Sequence, residues 1–364
     1  MQRGPLSGVR VVEFSALGPV PFCAMLLADM GADVVQIARP RAEIDDTNFM
    51  QRGRRVVPLD LKNPSDRDTA LDLIASADVL LEGSRPGVME HLGLAPATCL
   101  ARNPRLVYGR MTGWGQTGPL ASTAGHDINY IALSGVLDAI GAADGAPVPP
   151  LNLVGDYGGG AMFLAFGALC ALLEARVSGA GQVIDAAMID GSSMLMSLFC
   201  RLLAQGQWSG PRGTQMLDGG APWYATYRTA DDRYVAVGAI EEPFWQALLA
   251  GLEIGPDSLP PRGDKAGWPT IRAALASTFA TRSRDAWATH FGSADACVSP
   301  VLSLSEAAQH EHVAARATYI ADDRGIRPAV APRLSRTPGG KAAQAALSNA
   351  HAVLNSWRTN ESQR

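Results

Sequence analysis

Residues 9–40 constrain the fold more than any other stretch. "VRVVEF" (9–14) is a short apolar run that suits a buried strand. "PFCAMLLADMG" (21–31) has helical apolar spacing and closes on Gly31, and "ADVVQIARP" (32–40) is a second apolar run. Strand, helix and strand in this order make a βαβ unit, which requires a parallel sheet covered by helices. The alternation goes on. "DRDTALDLIASA" reads as a helix, "DVLLEG" and "RLVYGRMTG" as strands, "GQVIDAAM" (181–188) as a later strand and "DGSSMLMSLFCRLLAQG" as a later helix. The expected fold class is α/β.

A chain of 364 residues exceeds one ordinary core, so two domains are expected. The texture changes near residue 206, where "WSGPRGTQMLDGGAPW" is rich in Gly and Pro. After it, "WYATYRTADDRYVAVGAI" reads as an antiparallel hairpin, "PFWQALLAGL" and "WPTIRAALASTFATR" as helices, and "DACVSPVLSLSEAAQH" as a strand followed by a helix. This divides the chain into a large domain (1–205), a linker (206–224), a small α+β domain (225–320) and a C-terminal segment (321–364) holding one amphipathic helix.

Composition excludes several classes. With 47% hydrophobic and 18% charged residues the chain is globular and not disordered. A net charge of −4 argues against nucleic acid as the main partner. Cys23, Cys99, Cys170, Cys200 and Cys297 are far apart and form no CxxC, which speaks against a disulfide framework or a metal site and for a reducing, cytoplasmic setting. The N-terminus has no signal-peptide core, and "NESQR" is not a peroxisomal ending. The apolar stretch from Tyr157 to Leu173 falls slightly short of a membrane span and is expected to be a buried helix.

The first turn, "SALGPVPF", has one glycine and two prolines, so it is not the GxGxxG of a dinucleotide site. The second strand ends at Arg39, where such a site usually has an acid. Arg52, Arg54, Arg55 and Lys62 follow in "QRGRRVVPLDLKNP". These cations are either a solvated basic loop or one wall of a groove for a small polyphosphate. Farther on, "GWGQTGP" (113–119) leads into "AGHDINY" (124–130), which sets His126 at a loop-to-helix transition. Free N–H groups at that helix start, Asp127's included, can hold a developing oxyanion. Asp156 precedes "YGGGAMFLAFGALCALLEAR" and reads as a helix N-cap, with Asn152 four positions earlier to bond its carboxylate. Each residue alone has an ordinary structural reading. As a pair at two helix starts after glycine-rich loops, they occupy positions where ligands bind in α/β folds. There is no GxSxG, HExxH or P-loop, and Ser192 and Ser193 read as helix content.

Longer segments carry a resemblance. "GPLSGVRVVEF", "LADMGADVVQIARP", "LDLKNP", "EGSRPGVMEHLGL", "YGRMTGWGQTGP", "GHDINYIALSG", "PLNLVGDYGGGAM", "GQVIDAAMIDGSS" and "LDGGAPWYATYRTADDRYVAVGAIEEPFW" resemble the family III CoA-transferase (CaiB/BaiF) superfamily, in its α-methylacyl-CoA racemase branch. The resemblance implies an interlocked homodimer. Each subunit would have a Rossmann-like large domain and a smaller domain, with a C-terminal segment returning to the large one. The active site would be shared between subunits. It implies a coenzyme A thioester as substrate, with Arg39, Leu59, Leu61, Lys62, Gly83 and Arg85 around the CoA moiety. His91 stands where the family commonly has a more basic residue before "LGL". The resemblance further implies His126 and Asp156 as catalytic bases, Glu241 of the partner paired with the histidine, Asn152 paired with Asp156, and the Asp127 N–H as oxyanion donor. Tyr130 and Tyr224 would be pocket walls.

The activity so implied is epimerisation at C2 of a 2-methylacyl-CoA. One base removes the α-proton and one acid returns it on the other face of a planar enolate. No metal and no cofactor beyond the substrate's own coenzyme A is expected. The alternative is a CoA-transferase in which Asp156 is the nucleophile. His126, absent from transferase-type sequences, and Leu17, where some transferases carry Gln, argue against it. A catalytically silent CoA-binding dimer is the third reading. The acyl chain is left open.

Overall fold

The computed structural model describes residues 4–340 and 343–361, which form two compact units. The large unit takes the chain up to Val136, Pro150–Ser197 and the chain from Glu311. Its strands are β1 (Arg10–Phe14), β2 (Asp33–Ala38), β3 (Arg54–Pro58), β4 (Val79–Glu82), β5 (Val107–Thr112) and β6 (Val183–Ala187). They run parallel in the order β3-β2-β1-β4-β5-β6, and the short strand Ala346–Leu347 adds parallel to β3. The α/β expectation holds. The order reverses between β1 and β4, which opens a crevice beyond the carboxyl ends of those two strands.

The large unit's helices begin with α1 (Pro19–Asp29), α2 (Pro64–Ala75), α3 (Val88–His91) and α4 (Pro96–Arg102). They continue with α5 (Asp127–Leu133), α6 (Met162–Ser178) and α7 (Met188–Leu195). Side chains alternate across each strand and so feed two cores. Val11, Val34, Val79 and Val107 pack with Val20, Leu27, Leu164 and Ala168 of α1 and α6. Val12, Val35, Leu80 and Tyr108 pack on the opposite face with Leu73 of α2 and with Val353 and Trp357 of the C-terminal helix Ala350–Glu361.

Strand β3 and its ion pairs correct both readings of Arg52, Arg54 and Arg55, as a solvated basic loop and as a groove wall. Arg54 is 1% exposed, and its Nε donates to Glu13 Oε2 at 3.0 Å. Arg52 forks onto Asp29 at 2.8 and 2.6 Å, and Arg55 pairs with Asp33 at 2.6 Å. These three guanidiniums fasten β3 to its neighbours and do not line a ligand groove. The helix expected over 190–206 is two helices, α7 and Ser197–Ala204, separated at Met196.

The segment Leu153–Ser178 is long and apolar enough to cross a membrane by length and composition. Its Leu164, Ala165, Ala168, Ala171 and Leu172 are buried in the large unit's core, while Phe166, Leu173 and Val177 are exposed, so the helix expected to be buried is buried along one face only.

The small unit comprises Leu137–Pro149 and Leu198–His310. Strands β7 (Tyr224–Arg228), β8 (Tyr234–Gly238) and β9 (Val298–Pro300) form an antiparallel sheet. It packs on Trp245, Leu248, Phe279, Trp287 and Phe291 from the helices Glu242–Gly251, Trp268–Phe279 and Arg284–Phe291. The unit's limits differ from the divisions at 205 and 320, and residues 206–224 belong to it. Arg212 reaches back to the Asp138 carboxylate at 3.0 Å and the Gly145 carbonyl at 2.7 Å, which draws 137–149 into the unit.

Candidate active site

Two grooves lie on the large unit and share Phe14, Ser15 and Ser84. These residues end β1 or follow it, or follow β4, so both grooves open where the strand order reverses. The first has a volume of about 500 Å³ and is lined by Gly83, Arg85, Gly125, His126, Tyr130 and Asp156, among others. The second, of about 690 Å³, is lined by Arg39, Leu59, Leu61 and Lys62. Every sequence-level candidate of the large unit except Asn152, His91, Asp127 and the three paired arginines Arg52, Arg54 and Arg55 therefore lines one groove or the other. His91 is the exposed last residue of α3, and that helix presents Met89, not His91, to the second groove.

The turn after β4 is set from below. Buried Glu82 accepts the Ser84 N–H at 2.6 Å and Arg110 Nε at 2.9 Å, and Arg110 reaches on to Glu90 at 2.8 Å. Burial raises the Glu82 carboxyl above its usual range against these bonds. Arg39, Arg85 and Lys62 are exposed, and their side chains make no ion pair with any described residue. Three uncommitted cations on joined grooves suit a ligand with several phosphates.

His126 is the N-cap of α5, and its N–H donates to Asn129 Oδ1 at 3.0 Å. That leaves the first N–H groups of the helix beside the imidazole. Tyr130 holds the loop, with its hydroxyl donating to the Gly125 carbonyl and its ring edge-on to Trp114 at 4.8 Å. It is 7% exposed, and burial first, then the Asp156 charge, raises its phenol above the ordinary value.

Asp156 is not an N-cap as expected. It lies inside a π-helical turn, Leu153–Ala161, whose N-cap is Asn152 and which runs on into α6. Asn152 Nδ2 donates to Asp156 Oδ2 at 3.1 Å, as the spacing suggested. Gly18, at φ 72°, closes over the same carboxylate, so that a methyl group there would stand 3.0 Å from Oδ2. The glycines after Asp156 admit a neighbouring helix and not a ligand, because Gly159 lies against Gly191 and Ser192 of α7.

Sequence reasoning missed two features. Ser15 and Ser84 join the grooves, and the ends of strands at an order reversal would have pointed to them. The other is the Asp127 side chain, which is 8% exposed and turned inward. Its Oδ2 accepts the Asp156 N–H at 2.7 Å, while Oδ1 is buried without a hydrogen-bond partner among the described residues. Burial raises this carboxyl, with the Asp156 N–H opposing the rise and the Asp156 charge adding to it.

Glu241 belongs to the small unit as the exposed N-cap of Glu242–Gly251, and Tyr224 begins β7 there. Neither lines the two grooves. Among the described residues no group of three or more His, Cys, Asp or Glu is placed to hold a metal ion.

This architecture has close counterparts. The solved structure of a CaiB/BaiF family protein from Brucella suis superposes with a TM-score of 0.83 at 23% identity, covering 98% of this chain and all (100%) of that one, and so shares its fold. The alpha-methylacyl-CoA racemase of Mus musculus is 47% identical over 334 residues, covering 92% of this chain and 87% of the racemase. The Homo sapiens racemase is 45% identical with the same coverage, 92% and 87%. The family model described as CoA-transferase family III matches residues 6–352, and the chain belongs to that family.

Proposed function

We propose that the protein is a 2-methylacyl-CoA racemase that epimerises C2 by two-base 1,1-proton transfer. The observation that carries this reading is the placement of His126 and Asp156 on one groove at the carboxyl edge of the sheet, continuous with a second groove bearing exposed cations. The thioester sits in the first groove and its CoA portion runs along the second, with Arg39, Lys62 and Arg85 as phosphate partners and Leu59 and Leu61 as apolar contacts. His126 serves one face of C2 and Asp156 the other. Histidine exchanges protons near neutral pH, and a carboxylate can serve as the second group once its protonation is matched to that task. Asn152 orients the Asp156 carboxylate. The N–H groups at the start of α5, that of Asp127 first, stabilise the thioester enolate, which is the larger demand. No cofactor takes part beyond the coenzyme A that the substrate carries.

The working form in this reading is a homodimer. Phe166, Leu173 and Val177 of α6 are 68%, 63% and 90% exposed, an apolar face suited to a second copy of the chain. Glu241 of the partner subunit would then pair with His126. Five unpaired cysteines fit a reducing, cytoplasmic setting.

The test uses one epimer of a 2-methylacyl-CoA in deuterated water. Deuterium entry at C2 with loss of optical purity is the expected result. Transfer of CoA to an added carboxylate, without exchange at C2, would overturn it in favour of acyl transfer through Asp156. His126→Ala and Asp156→Ala should each lower epimerisation by about 10²–10⁴-fold, the usual worth of a positioned acid or base. Near-full activity in either variant would sink the two-base assignment.

A further inference from the structure

We propose that the Asp127 carboxylate is a positioning residue for Asp156, tying the helix that begins at His126 to the turn that carries the second base. The proposal rests on the two-base reading above and concerns the Asp127 side chain, whereas that reading uses only its backbone N–H.

The π-helical turn explains why Asp156 needs an outside partner. A π-helix closes hydrogen bonds five residues back, so the first N–H groups of Leu153–Ala161 find no acceptor within it. Tyr157 is the first to close, onto the Asn152 carbonyl at 3.4 Å. Asp156 is one position short and donates instead to Asp127 Oδ2 at 2.7 Å, across 29 positions of sequence. The seat is shaped for this bond. Gly155 faces the Asp127 carboxylate so closely that a methyl group there would overlap Oδ2. Asp156 is thus held twice, through its backbone by Asp127 and through its carboxylate by Asn152.

Asp127 does not line the groove, so it is not itself a proton-transfer group. Its Oδ1 is buried without a hydrogen-bond partner among the described residues, an arrangement that ordinarily costs stability. A carboxylate kept at that cost is explained by what its other oxygen holds. Since Asp127 is also the first residue of α5, directly after His126, one residue joins the two bases.

Asp127→Ala keeps the backbone N–H and removes the tie. Each epimer is followed in deuterated water, with deuterium entry and optical purity measured separately. Inversion is expected to fall about 10²-fold in kcat, the scale of a displacement of about 1 Å at a reacting group, with KM little changed. Deuterium should still enter with retention in the epimer whose α-proton faces His126. Asp127→Asn, whose amide oxygen can accept the Asp156 N–H, should recover inversion at least about tenfold over the alanine variant. Inversion within about threefold of the unsubstituted chain in Asp127→Ala would overturn the proposal. So would equal loss of exchange and inversion for both epimers, or an asparagine variant no better than alanine.

Gly155→Ala supplies a second route if Asp127→Ala does not fold. It should displace the intact carboxylate and reproduce the same loss of inversion with exchange preserved. Where both fold, the double variant should be no worse than Asp127→Ala alone, and additive losses would overturn the coupling. Absence of inversion in the unsubstituted chain would instead overturn the two-base reading and the proposal with it.

Discussion

Gly18 shows how much of the site depends on one backbone position. Its φ of 72° with ψ of −116° lies where side-chain-bearing residues are strained, and it starts α1 while closing over the Asp156 carboxylate. We expect Gly18→Ala to lower stability by about 1–3 kcal/mol, the usual cost of such strain, and to lower epimerase kcat at least about tenfold by pressing on Asp156. Thermal unfolding and initial rates check both, and unchanged kcat would show that Asp156 tolerates the contact. His126 was legible as a helix-start residue after a glycine-rich loop, because that signal is local, whereas Asp156, read the same way, lies inside a π-helical turn. The Asp127 tie was not legible, since a bond across 29 positions leaves no mark in local spacing. Arg52, Arg54 and Arg55 misled for the converse reason. A charge run is visible in sequence, but its carboxylate partners Asp29, Glu13 and Asp33 are not.

The βαβ opening, β4, β5 and β6 announced themselves through apolar runs bounded by turn residues. Strand β3 did not, because Arg54 and Arg55 open it and their buried pairing is a tertiary fact. The π-helical turn was equally hidden, as "LVGDYGGGA" reads as an ordinary helix start. In the small unit, the helix Leu304–Gln309 is capped by Ser303, with Glu306 returning to the Ser303 N–H at 2.9 Å. Glu306 also receives Arg284 at 2.9 and 3.1 Å. These bonds, Arg284's first, hold its carboxyl well below the usual carboxylate range. A carboxyl depressed in the folded state stabilises above its unfolded pKa of about 4.3, and the contribution is lost as pH falls below that toward the folded value. Glu306→Gln should therefore lower Tm at neutral pH and flatten its fall on acidification below about pH 4.5. An acid limb identical to that of the unsubstituted chain would show that Glu306 adds nothing.

For the molecule as a whole, the proposed dimer makes a prediction that single variants cannot. His126→Ala and Glu241→Ala chains are each expected to be nearly inactive. Refolded together they form mixed dimers in which one site regains both groups, if Glu241 acts across the interface. Random pairing at equal concentrations should restore roughly a quarter of full activity. No recovery, with mixed dimers confirmed by mass, would place Glu241 outside the site of its partner.

Hydrophobic periodicity, glycine placement and long collinear motifs were enough to identify an α/β chain of this family and to single out His126 and Asp156. Each of those signals is written along neighbouring residues, where strand and helix periods repeat. The order of the strands, and with it the crevice between β1 and β4, depends on which strands pair across the sheet. So do the distinction between cations spent on ion pairs and those without one among the described residues, and the hold of Asp127 on Asp156. Burial and hydrogen bonding join residues far apart in the chain, and only the folded arrangement supplies those partners.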